Sequence, residues 1–136
     1  MKYNYFNDPQ SPVRAYDFRD EKWQKLPQPI SDRYSGACSS YKGHVYVSGG
    51  CIETCEMYDP VAAKWKEIAP LIKSVHDHQM VSYKNSLWVV GGWRQGCRSC
   101  DVDKYDPMLN EWSSFSILQN DRFYRILDAV VFKPYL

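Results

Sequence analysis

Cysteine and histidine open the search for chemistry, because thiolates and imidazoles bind metals, attack carbonyls and move protons. Cys97-Arg98-Ser99-Cys100 is a C-x-x-C, and Cys51 with Cys55 forms a second pair. Brought together, the two pairs would supply the four thiolates of a zinc site. The plainer reading, two unrelated pairs of reduced thiols, is preferred, and no metal is expected. A redox C-x-x-C normally opens a helix in a βαβ setting, which this sequence does not offer. His76-Asp77-His78 places two imidazoles on one face of an extended segment. With no third ligand or nucleophile beside them, they read as loop hydrogen-bonding groups. Gly49-Gly50 and Gly91-Gly92 each follow an apolar run but precede another strand-like run, so no helix N-terminus is on hand to face a phosphate. No Ser-His-Asp order or G-x-S-x-G elbow is present. The expectation is a non-enzyme without a cofactor.

Arginine among aromatic residues suggests binding instead. Arg33-Tyr34, His76 to His78, Trp93-Arg94-Gln95, Arg98 and Arg122-Phe123-Tyr124-Arg125 lie in segments of varied length and content. Arg, Tyr and Trp dominate protein-binding hot spots, and guanidinium forms planar, two-pronged bonds with carboxylates. An acidic peptide or loop of a partner protein is therefore the expected ligand. Its candidate contacts are Arg33, Tyr34, His76, Asp77, His78, Trp93, Arg94, Arg98, Arg122 and Tyr124. The competing reading makes these arginines solvated loop charges, offset by Glu53, Asp77, Asp101 and Asp103.

The chain has 136 residues, the size of one ordinary domain, and its 17 Lys+Arg against 16 Asp+Glu leave a net charge of +1. That balance gives no electrostatic case for nucleic acid. No stretch approaches the ~20 apolar residues of a membrane helix. Residues 1–30 lack the layout of a secretory signal. The odd number of cysteines, five, cannot all pair within the chain, and a reduced, cytoplasmic setting is expected. Eleven Tyr, five Trp and five Phe point to an all-β fold, since rings favour a half-buried pleated surface.

The elements that would carry these loops come from a repeat. Tyr16-Asp17, Tyr58-Asp59-Pro60 and Tyr105-Asp106-Pro107 are each followed, seven residues after the Tyr, by Trp23, Trp65 and Trp112. Gly49-Gly50 and Gly91-Gly92 each begin 26 residues after the preceding Trp. Ser40-Tyr41-Lys42-Gly43 and Ser82-Tyr83-Lys84-Asn85 align in the same register, with Val131-Phe132-Lys133-Pro134 as a third copy. Each unit reads as four short antiparallel strands A to D: Ala37–Tyr41, His44–Ser48, Glu56–Tyr58 and Trp65–Ile68, repeated from Gln79 to about Phe115. Tyr58, Tyr105, Trp65 and Trp112, with Gly49, Gly50, Gly91 and Gly92, read as scaffold, the Trp rings packing between neighbouring units. In such a meander the D–A and B–C loops emerge at one end, the short A–B and C–D turns at the other. The varied segments all belong to the first end, where function usually sits on a repeated scaffold.

The double glycine, the Tyr with Asp-Pro and the Trp at fixed spacing resemble the kelch repeat over roughly residues 13 to 136. The resemblance implies an incomplete β-propeller of four-stranded blades, and a protein of the kelch-like, BTB-kelch type. Its units would be an N-terminal segment 1–12, a partial blade 13–34, full blades 35–76 and 77–121, and the start of a further blade in 122–136. It further implies a protein-interaction module, such as the substrate-recognition propeller of a cullin-RING ubiquitin ligase adaptor. Cullin contact would then run only through BTB and BACK domains, for which this chain has no room. The alternative use within the family is an actin or cytoskeletal scaffold. Copper oxidases among propeller relatives need a Tyr-His-Cys set that is not assembled here. About two and a half blades do not close a ring, so the chain is expected to be a piece of a longer protein or, less favoured, to associate with other copies. Phe123, Ile126, Leu127, Val130 and Val131 also fit a helical face, although the Phe132-Lys133 match favours a strand.

Overall fold

In the computed structural model, which describes residues 13–117, the elements are all strands. A hairpin of β1 (Arg14–Asp17) and β2 (Lys22–Lys25) comes first. The first four-stranded antiparallel sheet runs β3 (Ala37–Tyr41), β4 (His44–Ser48), β5 (Cys55–Asp59), β6 (Lys64–Ile68) in spatial as in chain order. The second follows the same meander with β7 (Gln79–Tyr83), β8 (Ser86–Val90), β11 (Asp101–Asp106) and β12 (Glu111–Ile117). Between β8 and β11 a small hairpin of β9 (Trp93–Arg94) and β10 (Cys97–Arg98) is inserted. This is the expected all-β architecture of four-stranded blades. The segments 1–12 and 122–136, with Arg122, Tyr124 and the choice between helix and strand near the C-terminus, lie outside the described residues. No helix among the described residues is long and apolar enough to cross a membrane.

Turn chemistry explains why the strands stop where they do. Lys42-Gly43 and Lys84-Asn85 both take positive φ, the conformation that matches a two-residue hairpin to the right-handed twist of its strands. At the C–D turns, Asp17, Asp59 and Asp106 each accept the backbone N–H groups two and three residues on. Those N–H groups, from Ala62 and Val61, hold the Asp59 carboxyl below its usual range. Two residues before each repeat Trp, Glu21, Ala63 and Asn110 adopt left-handed φ of 52°, 50° and 53°. Ala tolerates that region poorly and gains no side-chain bond there. Ala63→Gly is expected to raise the unfolding free energy by about 0.5–1 kcal/mol, read from urea denaturation.

The repeat tryptophans join one blade to the one before. Trp65 Nε1–H donates to the Pro27 carbonyl and Trp112 Nε1–H to the Ala69 carbonyl, both at 2.9 Å. In the second contact Asn110 Oδ1 also accepts the Ala69 N–H and the Tyr105 hydroxyl. The first contact has Pro27 where the second has Ala69, and Ala63 where it has Asn110. Proline has no N–H to satisfy, so no amide is required opposite it. Between the blades lies the core of Tyr46, Cys55, Leu71, Val75, Met80, Leu87, Val89 and Tyr105. Burial there pushes the Cys55 thiol up to about 11, which makes it a packing group rather than a reactive one.

Candidate partner-binding face

The D–A and B–C loops do meet at one end of the blades, and backbone hydrogen bonds knit them together. Tyr34 N–H donates to Gly50 O, Gly50 N–H to Val75 O, and Asp77 N–H to Ser35 O. His76 and Trp93 exchange two bonds, 3.2 and 2.8 Å, which fasten the β9–β10 hairpin to the neighbouring D–A loop. The surface they form is therefore a braced one.

Three of the candidate contacts face inward. Arg33 donates from Nη1 to the carbonyls of Gly49 and Thr54 and from Nη2 to Glu56 at 2.6 Å. Glu56 is fully buried and also accepts the N–H groups of Ile30 and Ser31, so this one carboxylate pins the whole 30–33 loop. Arg94 is buried against Asp103 with 2.7 Å between Nη2 and Oδ2, and its Nε lies 3.9 Å from Asp101. His78 Nε2 sits 2.9 Å from Ser48 Oγ. Exposed, a Ser–His contact would invite nucleophilic chemistry. Both are buried, at 0% and 3% exposure, and the contact serves as a staple between β4 and the loop before β7. The expectation that Arg33 and Arg94 offer outward guanidinium groups thus meets a physical obstacle: each is committed to a buried acid.

What remains at the surface is compact. His76 and Trp93 stack with planes 3° apart and centroids at 6.4 Å. Arg98, exposed on β10, places its guanidinium 5.6 Å from the Trp93 centroid. Asp77 pairs with His76 Nδ1 at 3.0 Å, and Tyr34 is half exposed. The hairpin register that sets Arg98 opposite Trp93 builds the stack locally. Its two-residue turn, Gln95-Gly96, has positive φ at both positions. The ledge offers a flat aromatic face, a cation with a planar fork, and a braced backbone.

Burial lowers the His78 pKa to about 4, with the Arg94 charge adding to the effect. Nδ1 has no hydrogen-bond partner among the described residues, so nothing in the fold receives a second proton. As pH falls below the unfolded value of about 6.5, the unfolded chain takes up a proton that the fold refuses. Stability is therefore lost from about pH 6.5 down to about pH 4, and this contribution levels off below. The loss is on the order of 3 kcal/mol. Unfolding midpoints measured across that window should fall more steeply for the wild type than for His78→Gln.

The two buried acids were not among the sequence candidates as a pair. A signal existed: Glu56 and Asp103 each stand two residues before the repeat Tyr, on the face that Tyr58 and Tyr105 bury. Charge on that face requires a partner. Against models of known families, residues 32–72 and 75–119, together more than half of the chain, match the one described as Kelch motif. No curated protein matches the chain.

Proposed function

Because the chain belongs to the kelch-repeat family, we propose that it works as a protein–protein interaction module whose D–A and B–C loop end grips an acidic segment of a partner. Kelch repeats indicate such a module in general terms; the acidic partner is the finer step. The observation behind it is the stack of exposed Arg98 on half-buried Trp93 and His76, carried by a hairpin that is braced from below. An aromatic face with a guanidinium over it buries area and pairs a carboxylate in one contact. Arg33 and Arg94 then act by holding the loops in place, and Tyr34, Asp77 and His76 flank the stack. The receptor role of a cullin-RING ligase is the setting that kelch-like proteins suggest for this surface. Proximity labelling in cells checks it: cullin components should be recovered when the chain is joined to BTB and BACK domains and not by the chain alone, whereas actin recovered by the chain itself would favour a cytoskeletal scaffold.

A random peptide display library selected against the chain tests the surface itself. Selected peptides should be enriched in Asp and Glu and bind more weakly as salt rises. Arg98→Glu should reduce their affinity by about tenfold or more, with Arg14→Glu on the exposed β1 position as the unaffected control. Peptides without acidic bias, or undiminished binding to Arg98→Glu, would sink the proposal.

A further inference from the structure

His78 is the side chain on which the loops of this end close, and it stands just before β7 with no room to move. A Cβ built on Gly49 would lie 2.7 Å from His78 Cε1, and one built on Gly92 would lie 2.8 Å from His78 Cβ. Glycine from each blade thus leaves the only space in which this side chain fits. Its Nε2 meets Ser48 Oγ of β4 at 2.9 Å, and its Nδ1 is buried without a partner among the described residues. Burial opposes a charged ring here more than any neighbour does. Arg94 on β9, His76 in the same loop and Arg33 on the first D–A loop oppose it too, and of these neighbouring groups Asp77 alone favours it. Both arginines are tied to buried acids, Glu56 and Asp103, so neither can withdraw. A protonated His78 finds relief only by leaving its site.

What would leave with it is the bracing of the partner-binding face. His76, two residues back, exchanges both backbone bonds with Trp93. Asp77 N–H donates to Ser35 O, and Val75 O accepts the Gly50 N–H. The loop that carries His78 therefore also carries the fastening of the β9–β10 hairpin. The β5–β6 and β11–β12 ladders are held by their own strand pairs, on the side of each sheet away from β3 and β7.

We propose that His78 is an acid-operated latch: proton uptake by its imidazole opens the second D–A loop and unfastens the β9–β10 hairpin before the blades themselves unfold. Local opening of this kind is a separate equilibrium from global unfolding. In the open loop the ring titrates at about 6.5, and in the closed one at about 4. The closed form is therefore fully favoured above about pH 6.5 and loses that advantage as pH falls to about 4. Between pH 7 and pH 4 the opening equilibrium should rise about a hundredfold. That the latch governs a partner rests on the function proposed above; the opening itself needs no partner, so the two fail separately.

Amide exchange of the chain alone, read residue by residue as protection factors from pH 7 to pH 4, tests the latch. Protection at the Gly50, His76, Asp77 and Trp93 amides should fall by about a hundredfold, while the β5–β6 ladder should change by less than a few-fold. In His78→Gln the same four amides should keep one level of protection across the range, because glutamine takes up no proton. The wild-type contrast between loop and ladder is read without any variant, so it decides the matter even if His78→Gln does not fold. An equal fall in loop and ladder would show global unfolding instead, and unchanged loop protection would show no latch. A fall of the same size in His78→Gln would assign the effect to the acids that hold Arg33 and Arg94. Each of these results would overturn the proposal.

Discussion

Glu56→Ala is expected to lower the unfolding free energy by about 3–5 kcal/mol, the usual consequence of leaving a buried charge without its counterpart. The Glu56 carboxylate has no exposure and accepts three donors, Ile30 N–H, Ser31 N–H and Arg33 Nη2. Removing it leaves the Arg33 guanidinium with only the Gly49 and Thr54 carbonyls, and leaves two backbone N–H groups without an acceptor. Urea denaturation followed by tryptophan fluorescence measures the loss. The double variant Arg33→Met, Glu56→Met should recover part of it, because no unpaired charge then remains. A loss under about 1 kcal/mol for Glu56→Ala would mean that the pair is solvated, as surface ion pairs are, and that the 30–33 loop is held by something else.

Gly49→Ala should be nearly as damaging, for a steric reason. A Cβ at this position would lie 2.5 Å from the Val75 carbonyl oxygen and 2.7 Å from His78 Cε1, at a φ of +59°. The Val75 carbonyl cannot retreat freely, since it accepts the Gly50 N–H at 2.8 Å and so ties two loops together. Overpacking and left-handed strain together should cost about 2–5 kcal/mol. Gly43→Ala separates the two causes. Its φ is +78° but nothing lies within 4 Å of the added carbon, so only the backbone cost of about 1–2 kcal/mol applies. Equal losses at the two positions would remove the close approach of blades from the explanation.

Strand positions were legible because each carries a local signal. Tyr58-Asp59-Pro60 and Trp65 fix one C–D hairpin by turn chemistry and ring pairing, and Lys42-Gly43 fixes an A–B turn. The gathering of loops at one end follows from antiparallel order alone. The state of each loop arginine was less legible, because its partner is set by the path of the chain. Arg33 meets Glu56 across 23 residues, and Arg94 meets Asp103 across a hairpin whose strands are two residues long. Gln95-Gly96 is a weaker turn signal than Asn-Gly, so that hairpin did not stand out. Of the two readings the sequence left open for the arginines, offset by acids describes Arg94, with Asp101 and Asp103 as its neighbours. For Arg98, stacked on Trp93 at the surface, partner contact remains the proposal.

The proposal that the loop end, rather than the turn end, meets the partner is tested most directly by hydrogen–deuterium exchange of the chain with and without a selected acidic peptide. Protection should appear in residues 33–36, 75–78 and 92–99. Protection centred instead on residues 42–43, 59–63, 84–85 and 106–110, where the A–B and C–D turns lie, would contradict it.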